Sequence, residues 1–120
     1  SRNFGVTTFG CHFEALEKEY LIQPWDGVNQ RIALRQIGFD LSIDTGKLIE
    51  ARLDIRKRST RFTIENPSDF DTQGEATIRG LWGPRVQSDE RVWEASEGLV
   101  RVPFQLKARQ RREIAIEVTE

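Results

Sequence analysis

The chain has little of what catalytic and metal sites are made from: one cysteine (Cys11), one histidine (His12) and no methionine in 120 residues. A single cysteine excludes an intrachain disulfide. A single histidine excludes the histidine pair that many zinc sites need. Cys11 and His12 are neighbours, and neighbours on a strand point to opposite faces, so they make no Cys/His dyad. His12 reads as structural. No apolar run reaches the roughly 18 residues of a membrane-spanning helix, and nothing at the N-terminus has the make-up of a signal peptide. The glycines are scattered at turns, which leaves no phosphate-cradling loop, and there is no repeat or low-complexity tract. Charge is nearly balanced, 18 basic residues against 19 acidic for a net of -1, so no global field draws a polyanion. At this length residues 1–120 fit one domain that can bury a core without staples. The start at Ser1 without a methionine suits a domain cut from a longer protein.

What the chain does have is alternation. Ile37, Phe39, Leu41 and Ile43 form one period-2 run; Ile49, Ala51, Leu53 and Ile55 a second; Phe62 and Ile64 a third; Ile114, Ile116 and Val118 a fourth. Alternation of this kind sets an apolar face on a core and a polar face in water, the mark of antiparallel strands. Residues 4–13 alternate too, with a parity switch near Gly10 that a bulge would explain. Residues 13–22 fit a helical face and a strand equally. Pro24 to Asn29 reads as a loop. A long strand is expected from Ile32 to Ile43, and Asp44-Thr45-Gly46-Lys47 has the composition of a turn returning the chain into an antiparallel strand, Leu48 to Arg56. With Thr60 to Glu65 these make a meander. Glu75 to Leu81 is a further strand, ended by Gly83-Pro84. Residues 85–98 are poorly patterned. Leu99–Leu106 and Glu113–Val118 are expected to pair across a basic turn. The fold class is all-β: an antiparallel β-sandwich, Ig-like or jelly-roll-like, of about seven to nine strands with at most one short helix.

Several motifs suggest chemistry, and each has a plainer explanation. Asp44-Thr45-Gly46 matches the catalytic triplet of aspartic proteases, but Lys47 follows where that family has Ala or Ser, and Thr77-Ile78-Arg79-Gly80 puts a charge where its later element is apolar. Asp69, Asp71 and Gly74 have the spacing of the first half of a calcium loop, yet the twelfth position, normally a bidentate Glu, is Gly80. A calcium site of another kind on Asp69, Asp71 and Glu75 is the remaining alternative to an acidic, solvated loop, and no metal site and no cofactor are expected. Arg52, Arg56, Lys57, Arg58 and Arg61 form one basic group, Lys107, Arg109, Arg111 and Arg112 another. No aromatics interleave with them as single-strand binding requires, so nucleic acid is not an expected partner. Trp25, Trp82 and Trp93 are candidate glycan-stacking platforms, Trp25 and Trp82 because they adjoin Gly or Pro turns; burial is the competing use of so large a side chain.

Ile64-Glu65-Asn66-Pro67-Ser68, then Ala76-Thr77-Ile78-Arg79-Gly80, and finally Val102-Pro103-Phe104 with Ile114-Ala115-Ile116-Glu117-Val118, resemble the Ig-like β-sandwich modules that accompany bacterial carbohydrate-active enzymes. The resemblance implies a noncatalytic role and carries over no site residue. The expected function is an accessory domain packed against a neighbouring domain of the same chain. A carbohydrate-binding module using exposed Trp, with polysaccharide as partner, is the alternative, and an enzyme in its own right is third. No membrane partner is expected.

Overall fold

The computed structural model describes residues 11–16, 19–24, 30–35, 38–80, 85–88, 91–94 and 98–119. They form eleven strands: β1 (Cys11–Leu16), β2 (Glu19–Pro24), β3 (Arg31–Leu34), β4 (Phe39–Ile43), β5 (Lys47–Asp54), β6 (Ser59–Glu65), β7 (Thr72–Arg79), β8 (Arg85–Ser88), β9 (Arg91–Glu94), β10 (Leu99–Leu106) and β11 (Arg111–Thr119). Seven lie in one sheet, in the order β1-β2-β5-β6-β11-β8-β9, and four in a second, β10-β7-β4-β3. Every pairing is antiparallel. One core joins the two sheets: Ile22, Leu48, Leu53, Phe62, Ile64 and Ile114 from the large sheet meet Ile32, Leu41, Ile43, Ile78, Phe104 and Leu106 from the small one. The shortest dimension, 20 Å, is that of two sheets packed face to face. The molecule is a β-sandwich.

Alternation located the buried faces. Phe39, Leu41 and Ile43 are buried, as are Phe62 with Ile64 and Ile114 with Ile116; Val118 packs on the rim of the core. Residues 13–22, which fit helix or strand, lie in β1 and β2 wherever they are described. The region 85–98 supplies the short pair β8 and β9. Ile37, Gly10 with the parity switch expected near it, and the Gly83-Pro84 stop lie outside the described residues. Of the loop expected from Pro24 to Asn29, Pro24 ends β2, and 25–29 are outside the description.

Four expectations about pairing and register are corrected. The run from Ile32 to Ile43 is two strands, β3 and β4, which pair with each other through Ile32 and Leu41. Asp44-Thr45-Gly46 is no hairpin turn: β4 pairs with β3 and β7 in the small sheet, whereas β5 pairs with β2 and β6 in the large one, so the triplet carries the chain from one sheet to the other. The meander accordingly reduces to β5 and β6. Leu99–Leu106 and the C-terminal strand do not pair either; β10 lies beside β7, and β11 lies between β6 and β8. The common physical reason is that alternation tells which face a strand buries and not which strand it lies beside. In a sandwich a polar turn after a buried strand serves a crossover as well as a hairpin.

The fourth correction concerns parity. A bulge between Leu48 and Glu50 shifts the register of β5 against β6, so Leu48 is buried at 1 % exposure while Ile49 is only partly covered. Past β5, Ile55 stands 40 % exposed in the turn to β6. A substitution pair reads this directly. Leu48→Asp should cost about 3 kcal/mol or more through a buried unpaired carboxylate, and Ile49→Asp less than half of that. Equal losses in chemical denaturation would contradict the bulge.

Candidate functional site

The strands deliver three connections to one end of the sandwich: the crossover 44–46, the loop 66–71 after β6, and the turn 107–110 between β10 and β11. Their hub is Asn66, 1 % exposed. Its Nδ2 donates to the carbonyls of Phe70 at 2.6 Å and Lys107 at 3.0 Å, and its Oδ1 accepts from Ser68 N at 3.1 Å and Ser68 Oγ at 2.7 Å. Main-chain bonds reinforce the junction, from Asn66 N to Gln110 O and from Arg109 N to Ser68 O. A carboxamide suits the place because it supplies two donors and an acceptor with two lone pairs, which serve two carbonyls, one main-chain N–H and the Ser68 hydroxyl in part-buried bonds. Asn66 and Ser68 read from sequence only as the residues that stop a strand. On the loop so fixed, Phe70 projects into solvent at 77 % exposure.

The acidic residues of this end are spent on its construction. Asp69 accepts from Arg109 Nε at 2.8 Å, Asp71 accepts from Ala108 N at 3.0 Å, and Glu75 lies 3.9 Å from Arg101. Three carboxylates committed to three separate partners do not converge on one cation. Among the described residues no cluster of His, Cys, Asp and Glu is placed to hold a metal. Millimolar calcium is therefore expected to leave the melting temperature unchanged within about a degree, since a ligand held below its dissociation constant stabilises little. A rise of several degrees in calorimetry would contradict that assignment.

Asp44, of the protease-like triplet, is also structural. Its Oδ1 accepts from Glu75 N at 2.8 Å and fastens the crossover to β7. The approach is so close that a Cβ on Gly74 would lie 2.7 Å from Asp44 Oδ1 and 2.9 Å from Phe104 Cζ. Glycine at 74 is what lets the crossover lie against the strand. A carboxylate fixed in this way on a surface crossover is poorly placed to share a proton with a second aspartate, as the protease mechanism demands.

The basic groups separate. Lys107, Arg109, Arg111 and Arg112 sit at the Asn66 end, where Arg109 pairs with Asp69 and Arg111 with Glu65 at 2.9 Å. Arg56, Lys57 and Arg58 occupy the turn between β5 and β6 at the opposite end, and Arg52 and Arg61 stand on the outer face of the large sheet. That face has outward rows of alternating sign: Glu50, Thr63 and Glu113; then Arg52, Arg61 and Ala115; then Asp54, Ser59 and Glu117. Such banding gives no continuous cationic track. On the small sheet Arg31 makes a two-pronged contact with Asp40, whose hydrogen bonds and charge raise the guanidinium pKa above its ordinary value.

Of the tryptophans, Trp25 and Trp82 lie outside the described residues. Trp93 is in β9, its backbone opposite Val86. Among the described residues the exposed aromatic is Phe70, which sequence reading passed over as a spacer between aspartates. A lone phenylalanine among Ser and Asp was the signal there. Surface depressions accompany these features, among them one of about 510 Å³ beside Asp71 and Lys107. One, of about 560 Å³, lies over Ala115 on the large sheet. Another, of about 650 Å³, runs past Gln73 and Gln105 at the edge of the small sheet. No family model, curated protein or solved structure matches the chain.

Proposed function

We propose that this chain is a noncatalytic structural module that packs against a neighbouring domain through the end of the sandwich built around Asn66. The observation that carries the reading is Phe70, a large apolar side chain held in water at 77 % exposure on a loop whose shape hydrogen bonds have already set. An aromatic anchor on a preorganised loop is the arrangement that yields most contact energy for least ordering cost. The charged groups around it, engaged in Arg109–Asp69 and Arg111–Glu65 pairs, form the polar rim expected of such a contact. Supporting the same reading, the acidic motifs that resemble catalytic or metal-binding sequences serve as local fastenings.

Phe70→Ser tests it. In the 120-residue chain alone the melting temperature should stay within about a degree or two, because an exposed side chain contributes little to its own fold. In a protein that joins the domain to its neighbour, the same change should lower the shared stability by about 1–3 kcal/mol, the range of an interface anchor. Identical small effects in both settings would refute docking through Phe70.

A further inference from the structure

Among the described residues, two that are not glycine hold a left-handed backbone, Arg58 at φ +50 and Arg109 at φ +62. Arg109 is the third residue of the turn 107–110, which Gln110 N closes by donating to Lys107 O at 3.0 Å. A positive φ there is the place of Gly or Asn, because an L side chain crowds its own backbone in that conformation. Stability does not account for an arginine. The main-chain bond from Arg109 N to Ser68 O would form with any residue except proline. The pair with Asp69 joins two side chains that are each more than half exposed, and such a pair returns no more stability than the left-handed conformation costs. What the arginine side chain alone adds is a hold on the residue before Phe70, through Nε donating to Asp69 Oδ1 at 2.8 Å. The residue after Phe70, Asp71, accepts from Ala108 N of the same turn. The turn thus grips the loop on both sides of the exposed phenylalanine.

We propose that Arg109 is a positioning residue for the docking contact: at a cost to the domain's own stability it holds Asp69, and so sets the direction in which Phe70 leaves the loop. This rests on the docking role of Phe70. Backbone outliers persist where their surroundings enforce them, and they gather at binding sites. Here the outlier sits on the turn that grips an exposed aromatic. Arg58 supplies the contrast, with the same backbone conformation in the turn between β5 and β6, at the end of the sandwich away from Phe70. The hold has a consequence for regulation. Salt screens a solvent-exposed ion pair, so the setting of Phe70, and docking with it, weakens as ionic strength rises.

Arg109→Gly relieves the backbone and removes the hold in one step. In the 120-residue chain its melting temperature should stay within about two degrees of the unsubstituted chain or rise, while hydrogen-exchange protection of the Ser68 and Phe70 amides falls about threefold or more. Between about 0.05 M and 0.5 M potassium chloride that protection should fall in the unsubstituted chain and hold steady in Arg109→Gly. Asp69→Ala should reproduce the loss, and adding it to Arg109→Gly should do little more, as expected of two partners in one interaction. Arg58→Gly is the control, and should leave both amides as they are. In the protein that joins the domain to its neighbour, Arg109→Gly should keep less than about half of the protection that docking gives to residues 66–71. A melting temperature lower by more than about two degrees, undiminished protection at Ser68 and Phe70, or a full docking gain in the joined protein would each overturn the positioning role. Phe70→Ser with its docking gain intact would instead strike the docking reading, while exchange in the isolated chain would still report whether Arg109 holds the loop.

Discussion

Replacing Asn66 by alanine is expected to cost about 3 kcal/mol or more, a drop of roughly 10 °C or more in melting temperature for a chain of this size. The side chain is buried and bonds to Phe70 O, Lys107 O, Ser68 N and Ser68 Oγ, so its removal strips partners from main-chain groups on two loops at once. A neutral hydrogen bond contributes about 1 kcal/mol net, and a buried group left without a partner costs about 1–3 kcal/mol, so several such losses make this one of the most damaging polar substitutions in the domain. Asn66→Asp should not rescue it, because a carboxylate there would face the Phe70 and Lys107 carbonyls with no proton to donate. Ser68→Ala, which removes one hydroxyl at the edge of the same network, should cost about 1 kcal/mol. Urea denaturation of the three variants gives the order; a loss for Asn66→Ala no greater than for Ser68→Ala would show that the loop is not hung from Asn66.

Gly80→Ala should be comparably severe, for a backbone reason. Gly80 has φ +103, outside the region an L side chain adopts, and a Cβ there would lie 2.5 Å from Gly38 O and 2.9 Å from Phe39 Cα. Both obstacles are main chain, so relief requires β4 and the exit of β7 to move apart where the small sheet is pinned by Gly80 N donating to Gly98 O. Strain and displacement together should cost about 3 kcal/mol or more. Gly38→Ala is the matched control. Its φ is +70 but a Cβ would meet nothing within 4 Å, so only the conformational term remains, about 1 kcal/mol. Similar losses at both positions would mean that the close approach of the two glycines is not what the domain depends on.

Burial was readable from the chain where alternation was clean. Phe39-x-Leu41-x-Ile43 and Ile114-x-Ile116 each bury the residues that a period of two selects. Beyond the β5–β6 pair, neighbour relations were not readable, because the contacts that decide them lie far apart in sequence: Leu41 pairs with Ile78 and Ala51 with Ile22, and nothing local in Asp44-Thr45-Gly46-Lys47 distinguishes a hairpin from a crossover. Nor did the pattern announce the bulge at Ile49, where a β-branched apolar residue fits the alternation and still turns partly outward. The candidate site was legible only in outline. Asn66-Pro67-Ser68 marked the end of a strand, but the importance of Asn66 comes from carbonyls at positions 70 and 107, and long-range main-chain partners leave no periodic trace. Asp69 and Asp71 looked like ligands because their spacing is right; whether a carboxylate is available depends on Arg109 and Ala108, which arrive from another loop.

The central claim, that the Asn66 end of the sandwich is a docking surface anchored by Phe70, is most directly tested by amide hydrogen exchange on the domain alone and joined to its neighbour. Exchange measures the free energy of local opening segment by segment, so it separates a covered surface from a general change in stability. Residues 66–71 and 107–110 are expected to gain protection of about tenfold or more in the joined protein while the β5–β6 turn at 55–58 does not, and Phe70→Ser is expected to remove the gain. Equal protection of residues 66–71 in the two settings, or a gain that survives Phe70→Ser, would contradict it.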